Sequence, residues 1–534
     1  MTERARTRAW RLYESGRDYN NRLTPNQYRL VETNTEFFIG NQWLNLPNTP
    51  AMRGLPKPTF NILKRVASLF IASLTSSAVR IRAEPLELSG NADAAAFADA
   101  EISNLLEKFH FDYRVRDALF DGAQTGDYCA HFWYDPEARP YRGNGAFEPH
   151  RGEIRMELAD GINVMFGNPH DRAVENQPWI LLVGRDSPEN LRREAAQRRA
   201  DAPKTADAPF YADEMPETIQ PDAETADFPG VGGKLELAGE EKALYVLLYE
   251  KIRNPDGETT VHVTKATRDA AIYEDIDTGL SVYPIAWGNW EKQRNQYHGR
   301  ALVTGLIPNQ IFINTLFATA MRHIQLRAVP RIAYNADLIS AWTNEVGQAI
   351  AVRGLQPGQS AASVAGAIPA PEMSAQIFTL IDKAMAYTKE CLGVSGVQLG
   401  DANPQNTSAL ALLQTNAEIP LENVRAGLCE WAEDIGRILL DMMGTYYGKR
   451  PAVINGAATE FDFRVFKRLW LNLRVDAGEA SRFDEAAATK MLGELRRDGL
   501  LTAAQYLERV PDRLFPRKAE LLDELRRKEA AETT

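Results

Sequence analysis

A glycine cluster followed by lysine is one place where this sequence approaches a nucleotide-binding pattern. The segment FPGVGGKL covers residues 228–235. A P-loop has the pattern G-x4-G-K-S/T, because backbone amides cradle the phosphates and the hydroxyl binds magnesium. Here Phe228 stands where the first glycine belongs, and Leu235 replaces the hydroxyl residue. We therefore expect no nucleotide site in this segment.

Other residues with catalytic potential are scattered along the chain. The seven histidines form no HExxH pattern, and we expect His131 and His323 to be surface or hydrogen-bonded core histidines. GVSGV at 393–397 departs from the nucleophile pattern GxSxG, because Val397 replaces the last glycine. Acidic pairs such as Glu240 and Glu241 lie in polar sequence and should be solvated. We predict that the chain is not an enzyme.

The cysteines give no sign of a metal or disulfide framework. Cys129, Cys391 and Cys429 are far apart in the sequence, and no CxxC pattern occurs. This spacing argues against a zinc ribbon and against a disulfide scaffold. We therefore predict no metal, no cofactor and a reducing compartment.

Length and charge limit the class of protein. The 534 residues are 44% hydrophobic and carry a net charge of −11, which suits several soluble domains but not a protein that grips phosphates tightly. The charged N-terminal sequence lacks the apolar core of a signal peptide. LIPNQIFINTLFATAMRHIQL contains several polar residues, so we expect a packed helix and no membrane span.

Hydrophobic spacing predicts an α+β protein that is mainly helical. Helices are indicated at 1–45, from Asn61 to about 76 and at 91–120, and strands around AVRIRAEPL and CAHFWYDP. GEIRMELADGINVMFGNP predicts a hairpin followed by an extended segment. LYVLLYEKIR and TTVHVTKAT predict two strands joined at an Asp-Gly turn.

The remaining chain contains one polar segment and several long helices. Residues 186–242 are predicted as a mobile acidic loop because Asp, Glu, Pro and Ala dominate most of it. Helices are indicated near 306–328 and 372–392, and a longer one from Thr407 with a kink at Pro420. FDFRVFKRLWLNLRVDAG predicts strand, and the chain from Glu479 predicts helix.

Six segments, taken in order, resemble the portal proteins of tailed bacteriophages. No single segment is diagnostic, but their order and the plan of helix, insert, helix, loop and long helix make the resemblance specific. The segments are FFIGNQW (37–43), PKPTFNILKRVASLF (56–70), DGAQTGDYCAHFWYDP (121–136), GINVMFGNP (161–169), the block from YPIAWGNW to LIPNQIFIN (283–314) and DGLLTAAQYLERVP (498–511).

The resemblance implies a portal fold whose subunits form a cyclic ring, usually of twelve copies, at one capsid vertex. Double-stranded DNA would pass through its channel during packaging and ejection. The implied parts are a wing at 1–305 with the acidic loop at 186–242, a stem helix at 306–330, a clip at 331–371, a second stem helix at 372–392, a tunnel loop at 393–407, a long helix with wing strands at 408–477, and a helical crown at 478–534.

The resemblance also implies functional residues. The tunnel loop would face DNA with four amides and one carboxylate, which contact a polyanion without holding it. These DNA-facing residues are Gln398, Asp401, Asn403, Gln405 and Asn406. The implied partner contacts of the clip are Trp342, Asn344, Glu345, Arg353 and Gln356, and those of the stem with the next subunit are Ile313, Phe317, Arg322 and Ile324.

The implied partners are other virion and packaging components. They comprise the terminase, the head-tail adaptor, the major capsid protein and a scaffold, with assembly in the host cytoplasm and a final place in the virion. Two alternatives remain open at this stage. One is a smaller neck or adaptor ring component, which the length disfavours; the other is a packaging enzyme, which the absent P-loop disfavours.

Overall fold

The chain folds into a mixture of helices and antiparallel sheets. The computed structural model describes residues 7–43, 54–76, 78–85, 92–138, 152–201, 242–254, 257–268, 270–328, 331–339, 351–358, 360, 363–368, 376–391, 421–454, 457–469, 471–476, 482–499, 501–510, 518 and 521–522. Helices and strands both occur in each half of this part of the chain, which agrees with the α+β prediction.

Three capped helices form the N-terminal part. They are α1 (Arg8–Arg22), α2 (Gln27–Ile39) and α3 (Ile62–Leu74). Thr7, Asn26 and Asn61 precede them, and each side chain accepts a hydrogen bond from a backbone N–H in the first turn. Such caps satisfy donors that have no partner within the helix.

In the described part of the chain, the strands form two larger sheets and three two-stranded ribbons. β2 (Asp127–Asp135) lies between β3 (Glu153–Ala159) and β9 (Ile285–Asn289). The second sheet has the order β4-β5-β6-β7-β8, and all its neighbours are antiparallel. Its strands are β4 (Val164–Phe166), β5 (Trp179–Asp186), β6 (Ala243–Arg253), β7 (Thr259–Ala266) and β8 (Ala271–Leu280). The β6–β7 pairing confirms the two predicted strands, whereas Asp256 of the predicted turn lies outside the described residues.

The main core lies where helices cover the three-stranded sheet. Three further helices join α3 there: α4 (Ala92–Lys108), α5 (Phe111–Thr125) and α9 (Glu422–Tyr446). Trp431 of α9 is fully buried, stacks on Phe111 with ring centroids 6.0 Å apart, and donates a hydrogen bond to the Ala286 carbonyl at 3.1 Å. The indole therefore joins α9, α5 and β9.

The C-terminal part is less regular than predicted. β12 (Lys449–Ile454) pairs with β13 (Ala457–Asp462), and β14 (Leu471–Asp476) pairs with β1 (Arg80–Pro85). A 3-10 turn at Phe463–Lys467 separates β13 from β14, so FDFRVFKRLWLNLRVDAG is not continuous strand. The helices α10 (Arg482–Arg497) and α11 (Ala503–Arg509) follow.

The predicted acidic loop at 186–242 was wrong at its start. Pro188–Asp201 forms a helix, α6. Ser187 caps it by accepting from the Asn190 backbone N–H at 3.2 Å, and proline is favoured at the first helical position. Leu191 and Ala195 bury one side of α6 against the second sheet. The polar composition concealed this short apolar stripe. Residues 202–241 lie outside the described part.

The predicted hairpin within residues 152–169 was also wrong. β3 pairs with β2, whereas β4 pairs with β5 in the other sheet. A 3-10 turn at Gly161–Asn163 separates them, and Asp160 caps this turn by accepting from the Ile162 N–H at 3.3 Å. The turn directs the chain from one sheet to the other. Alternation of apolar residues predicts that a segment is a strand but not which sheet it joins.

Candidate functional site: two helices around a paired insert

Two long helices flank a short antiparallel ribbon in the region that resembles a stem and clip. α7 spans Leu302–Ala328 and α8 spans Gln376–Cys391, and the two helices contact each other. Between them, β10 (Arg331–Tyr334) pairs with β11 (Ala365–Ile368). α7 thus starts earlier than the predicted position 306, and α8 lies within the predicted range 372–392, whose remaining residues are outside the described part.

The first half of α7 is anchored by a buried chain of amide side chains, the amide network, formed by Gln42, Gln310 and Asn314. Asn314 donates to the Gln42 side-chain oxygen at 2.6 Å, and Gln310 donates to the Asn314 oxygen at 2.9 Å. Gln42 donates onward to the Phe37 carbonyl at 3.1 Å. All three amides are at most 2% exposed, where an unpaired polar group is costly.

The same network reaches the start of α3. Gln310 donates to the Phe60 carbonyl at 2.7 Å and accepts from the Ile62 N–H at 3.1 Å. Asn61 donates to the Phe38 carbonyl at 2.8 Å. Three of the segments that carried the family resemblance, FFIGNQW, PKPTFN and LIPNQIFIN, therefore meet at one place. This joint fixes α7 to α2 and α3.

α8 packs beside the anchored part of α7. Ile381 and Thr388 of α8 are 3% and 6% exposed. Thr388, Leu306 and Ile313 line one small void together with residues of α3. Thr388 of α8 thus lies against the anchored first half of α7.

Large apolar side chains remain exposed along both helices. On soluble proteins such a concentration marks an interaction surface more often than an isolated exposed residue does. We call these six residues the stem surface: Phe312, Met321 and Ile324 on α7, with 48%, 39% and 54% exposure, and Phe378, Leu380 and Tyr387 on α8, with 49%, 45% and 58%.

The four residues implied for the stem interface occupy different environments. Ile313 is 1% exposed, so it packs within the subunit and has no surface left for a neighbour. Phe317 is half-buried and its ring lies 4.4 Å from that of Phe60. Arg322 is half-buried, and Ile324 is exposed. Of the four, Ile324 has the most exposed side chain and is therefore the most accessible to a neighbouring subunit.

Two of the five implied clip residues, Arg353 and Gln356, lie in the described part of the insert. Arg353 and Gln356 are exposed on a segment whose backbone is tied to the ribbon, because the Arg353 N–H donates to the Leu338 carbonyl at 2.9 Å. The Asn335 N–H donates to the Val364 carbonyl at 3.0 Å and extends the strand pairing. Trp342, Asn344 and Glu345 lie outside the described residues.

The implied tunnel loop cannot be placed. Gln398, Asp401, Asn403, Gln405 and Asn406 all lie outside the described residues, as do Pro420 and the predicted helix start at Thr407. The part of the long helix that is described, α9, begins at Glu422 and ends at Tyr446. It carries a continuous buried stripe that includes Leu428, Ile435 and Met442.

A second buried joint, which sequence reasoning missed, lies where α7 begins. Asp127 and His298 are each about 1% exposed and their Oδ2 and Nδ1 atoms are 2.6 Å apart. Asp127 Oδ1 accepts from Asn289 at 2.7 Å and from the Gly299 N–H at 2.6 Å. His298 Nε2 lies 3.0 Å from the Asn20 side-chain oxygen. The pair joins α1, β2 and β9, and its partners are structural amides rather than a nucleophile.

Two glycines allow this joint to close. Gly126 has a φ of 97°, and a Cβ added there would lie 2.4 Å from the Gly299 carbonyl oxygen. A Cβ on Gly299 would lie 2.5 Å from the Gly126 oxygen. The two backbones therefore cross at a distance that excludes any side chain. These glycines belong to the TGD and YHG sequences, which are the signal that could have revealed the pairing.

Charged groups elsewhere in the subunit are mostly paired or perturbed for structural reasons. Burial raises the pKa of Asp434 on α9 to about 6, although the nearby Arg437 opposes the shift.

His131 is a hydrogen-bonded core histidine, as predicted. Its two ring nitrogens lie 3.0 Å from Glu157 and 2.9 Å from the Tyr249 hydroxyl. Within the described ranges, no group of three or more His, Cys, Asp or Glu is arranged to hold a metal ion.

α7 passes a test of length and composition for a membrane-spanning helix. Residues Leu302–Gln325 have a mean hydropathy of 1.2, and this is the one such helix in the described part of the chain. A single helix of this kind is weak evidence, since core helices pass the same test. The buried Gln310 and Asn314 make hydrogen bonds inside the protein fold, which agrees with a packed helix.

Comparison with known protein families finds a match in this region. Residues 210–454 match the family of Phage P22-like portal proteins. The match covers somewhat less than half of the chain and includes α7, the β10–β11 ribbon, α8 and α9. No curated protein matches the chain. The resemblance to tailed-phage portal proteins that the sequence indicated is thereby confirmed.

Proposed function

From this portal-family match we propose that the chain is the subunit of a ring at one vertex of a tailed-phage capsid. The ring forms the channel through which double-stranded DNA is packaged and ejected. It also docks the terminase and later the head-tail adaptor. The chain is a virion component in this proposal and has a structural rather than a catalytic role.

The stem surface is the observation that carries the proposal. A ring needs a heterologous interface, in which one face of each subunit packs against a different face of the next. α7 and α8 offer two such faces, and each exposes three large apolar side chains. Burial of this area between copies would remove it from water at a gain of about 25 cal/mol per Å².

The amide network supports a positioning role for α7 in the ring. A stem helix that positions a channel must hold its angle to the rest of the subunit. Hydrogen bonds from Gln310 and Asn314 fix the first half of α7 to the α2 and α3 region, which constrains the direction of the whole helix. Its second half carries Met321 and Ile324, which are exposed.

The charge distribution suits a channel through which DNA slides. The chain has a net charge of −11, so it lacks the excess of cations that anchors most DNA-binding proteins. The proposed tunnel loop contributes Gln398, Asn403, Gln405 and Asn406, whose neutral amides make weak contacts, and Asp401 adds repulsion. Weak contacts let a polyanion move while the loop still touches it.

The insert is the part that we propose meets the packaging and tail proteins. The ribbon lies between the two stem helices in the sequence. Arg353 and Gln356 are exposed beside it. With Trp342, Asn344 and Glu345 they supply one cation, one anion, two amides and one aromatic ring for contact with terminase and adaptor.

Native mass measurement and electron microscopy of the purified chain test the proposal. We expect a ring with a central hole and a mass near twelve times 59.6 kDa. A stable dimer or tetramer without a hole would overturn the ring. ATP hydrolysis by the isolated chain would instead favour the packaging-enzyme alternative.

Deletion of residues 398–406 tests the tunnel loop separately. The variant should assemble into the same ring, because the stem surface is intact. It should then package or retain less DNA than the wild-type ring. Unchanged packaging with a normal ring would remove the loop from the mechanism but leave the ring proposal standing.

A further inference from the structure

A cleft between the two larger sheets has no part in the proposed channel. Its volume is about 570 Å³, within the range of roughly 300–1,000 Å³ that is usual for ligand pockets. β2 lines one side, and β6, β7 and β8 line the other. The last turn of α9, with Met442 and Tyr446, closes one end.

The walls of the cleft are unusually rich in aromatic rings. Five of them are half-buried, so part of each ring faces the open space: Trp133, Tyr134, Tyr245, Tyr273 and Tyr446. The rings of Tyr134 and Tyr446 are stacked, with centroids 4.5 Å apart. The outer faces and edges of such rings offer aromatic surface to a ligand.

The floor is polar and already ordered. His131 and Tyr249 line the cleft, each is 5% exposed, and the His131 Nε2 atom lies 2.9 Å from the Tyr249 hydroxyl. The other ring nitrogen of His131 is 3.0 Å from Glu157. A ligand would therefore meet a rigid surface rather than one that must rearrange on binding.

Carboxylates predominate at the rim. Glu157, Glu194 and Asp277 line the cleft, and their side chains are 55%, 33% and 44% exposed. Lys265 is the one lysine or arginine among the lining residues. The rim thus carries an excess of negative charge above an aromatic wall, and this combination favours a cation.

One aromatic ring of the cleft, that of Tyr245, already contacts a cation, Lys265. The Lys265 ammonium lies 4.2 Å from the centre of the Tyr245 ring and 2.6 Å from a Glu194 oxygen. One end of the cleft therefore already combines an aromatic face, a carboxylate and a positive charge. Glu157 and the rings of Trp133 and Tyr273 extend the same chemistry along the cleft.

We propose that this cleft binds an arginine side chain of a basic segment in a partner protein. A guanidinium is planar and weakly hydrated, so it stacks on aromatic rings and binds carboxylates through two hydrogen bonds. The volume leaves room for residues on either side of the arginine. The net charge of −11 attracts a basic segment over longer distances. The inference goes beyond the portal function and does not depend on it.

Saturation-transfer NMR with the full chain tests the proposal. The probe is the peptide acetyl-Ala-Arg-Ala-amide, and the control peptides replace arginine by its neutral isostere citrulline or by glutamate. We expect transfer to the arginine methylene protons, weaker transfer to citrulline and none to glutamate. Equal transfer to arginine and citrulline, or no transfer to arginine, would overturn the proposal.

Two variants locate the binding. Glu157→Gln keeps an acceptor for His131 but removes a rim charge, and should weaken arginine binding about threefold. Leu247→Trp fills the cleft and should abolish transfer. Glu258→Gln is the matched control, because this exposed residue does not line the cleft. Circular dichroism and thermal melting establish that each variant is folded.

The outcomes separate the possible occupants. An effect of Glu258→Gln equal to that of Glu157→Gln would show general charge attraction and refute the site. Binding to the monomer that is absent from the ring would show that a neighbouring copy fills the cleft, which also refutes it. Binding to the ring that is reduced by Glu157→Gln, abolished by Leu247→Trp and unchanged by Glu258→Gln would support the proposal.

Discussion

The Asn314 side chain donates a hydrogen bond of 2.6 Å to Gln42, although 272 residues separate them. Both are about 1% exposed. Asn314 also accepts from Gln310, which reaches the backbone at the start of α3. The orientation of α7 therefore depends on amide pairing as well as on apolar packing.

Substitution of Asn314 should destabilise the subunit. Asn314→Leu leaves the Gln42 oxygen unpaired in the core, so the free energy of unfolding should fall by about 2 kcal/mol. The double variant Gln42→Leu/Asn314→Leu should lose less than the sum of the single variants. Urea denaturation measures both. Thr319→Ala, on an exposed turn of α7, is the control. Additive losses in the double variant would refute the coupling.

Replacement of Gly126 should be far more damaging than replacement of Gly257. Both have positive φ, at 97° and 91°, so alanine at either costs about 1 kcal/mol in backbone strain. At Gly126 the new Cβ would also meet the Gly299 carbonyl oxygen at 2.4 Å, whereas at Gly257 nothing lies within 4 Å. We expect Gly126→Ala to lose at least about 3 kcal/mol.

Soluble expression and thermal melting of these two glycine variants measure the difference. If Gly126→Ala is too unstable to purify while Gly257→Ala melts near the wild type, the close backbone crossing is supported. Similar melting temperatures for both variants would contradict it.

Asp434 should make stability depend on pH. Burial raises its pKa in the folded chain from 3.8 to about 6, so the charged form disfavours the fold. This penalty is full above about pH 6, shrinks as pH falls toward 3.8, and is absent below that value. Asp434→Asn should therefore gain about 1–2 kcal/mol at pH 7, after allowance for partial solvent exposure.

Denaturation of Asp434→Asn and wild type at several pH values tests this sign. The advantage of the variant should be largest at pH 7 and should disappear near pH 4. Asp382→Asn, at an exposed position on α8, is the matched control. An advantage that grows as pH falls would contradict the assigned shift.

Charged substitutions on the stem surface should block assembly without unfolding the subunit. Ile324 and Phe378 are about half exposed, so Ile324→Glu and Phe378→Glu should change the free energy of unfolding by less than about 0.5 kcal/mol. Like charges buried between copies should nevertheless prevent ring formation. Native mass spectrometry reads the assembly state.

Tyr113→Glu is the matched control for the stem surface. Tyr113 lies on α5 and is 72% exposed, so it tests whether any exposed apolar residue has the same effect. Rings that form normally with Ile324→Glu and Phe378→Glu would show that these faces are not the interface.

Much of the local structure could be predicted from the residues alone. The 3.6-residue spacing of apolar side chains indicated α3, α7, α8 and the stripe of α9, because each helix buries one face against a neighbour. Alternation and an Asp-Gly turn indicated β6 and β7. α6 was missed, because its buried stripe, as far as it is described, consists of Leu191 and Ala195 and charged residues surround them.

The sequence by itself indicated the resemblance to tailed-phage portal proteins and the plan of helix, insert, helix and long helix, since these depend on local spacing and on segment order. Only the tertiary structure decided which apolar residues of a helix are buried and which are exposed. Ile313 is buried and Ile324 is exposed, although both lie on α7. The tertiary structure also decided which distant polar groups pair, as Asp127 does with His298 and Asn314 with Gln42. Such pairings arise because chain segments far apart in sequence meet in the core, where each buried polar group requires a partner.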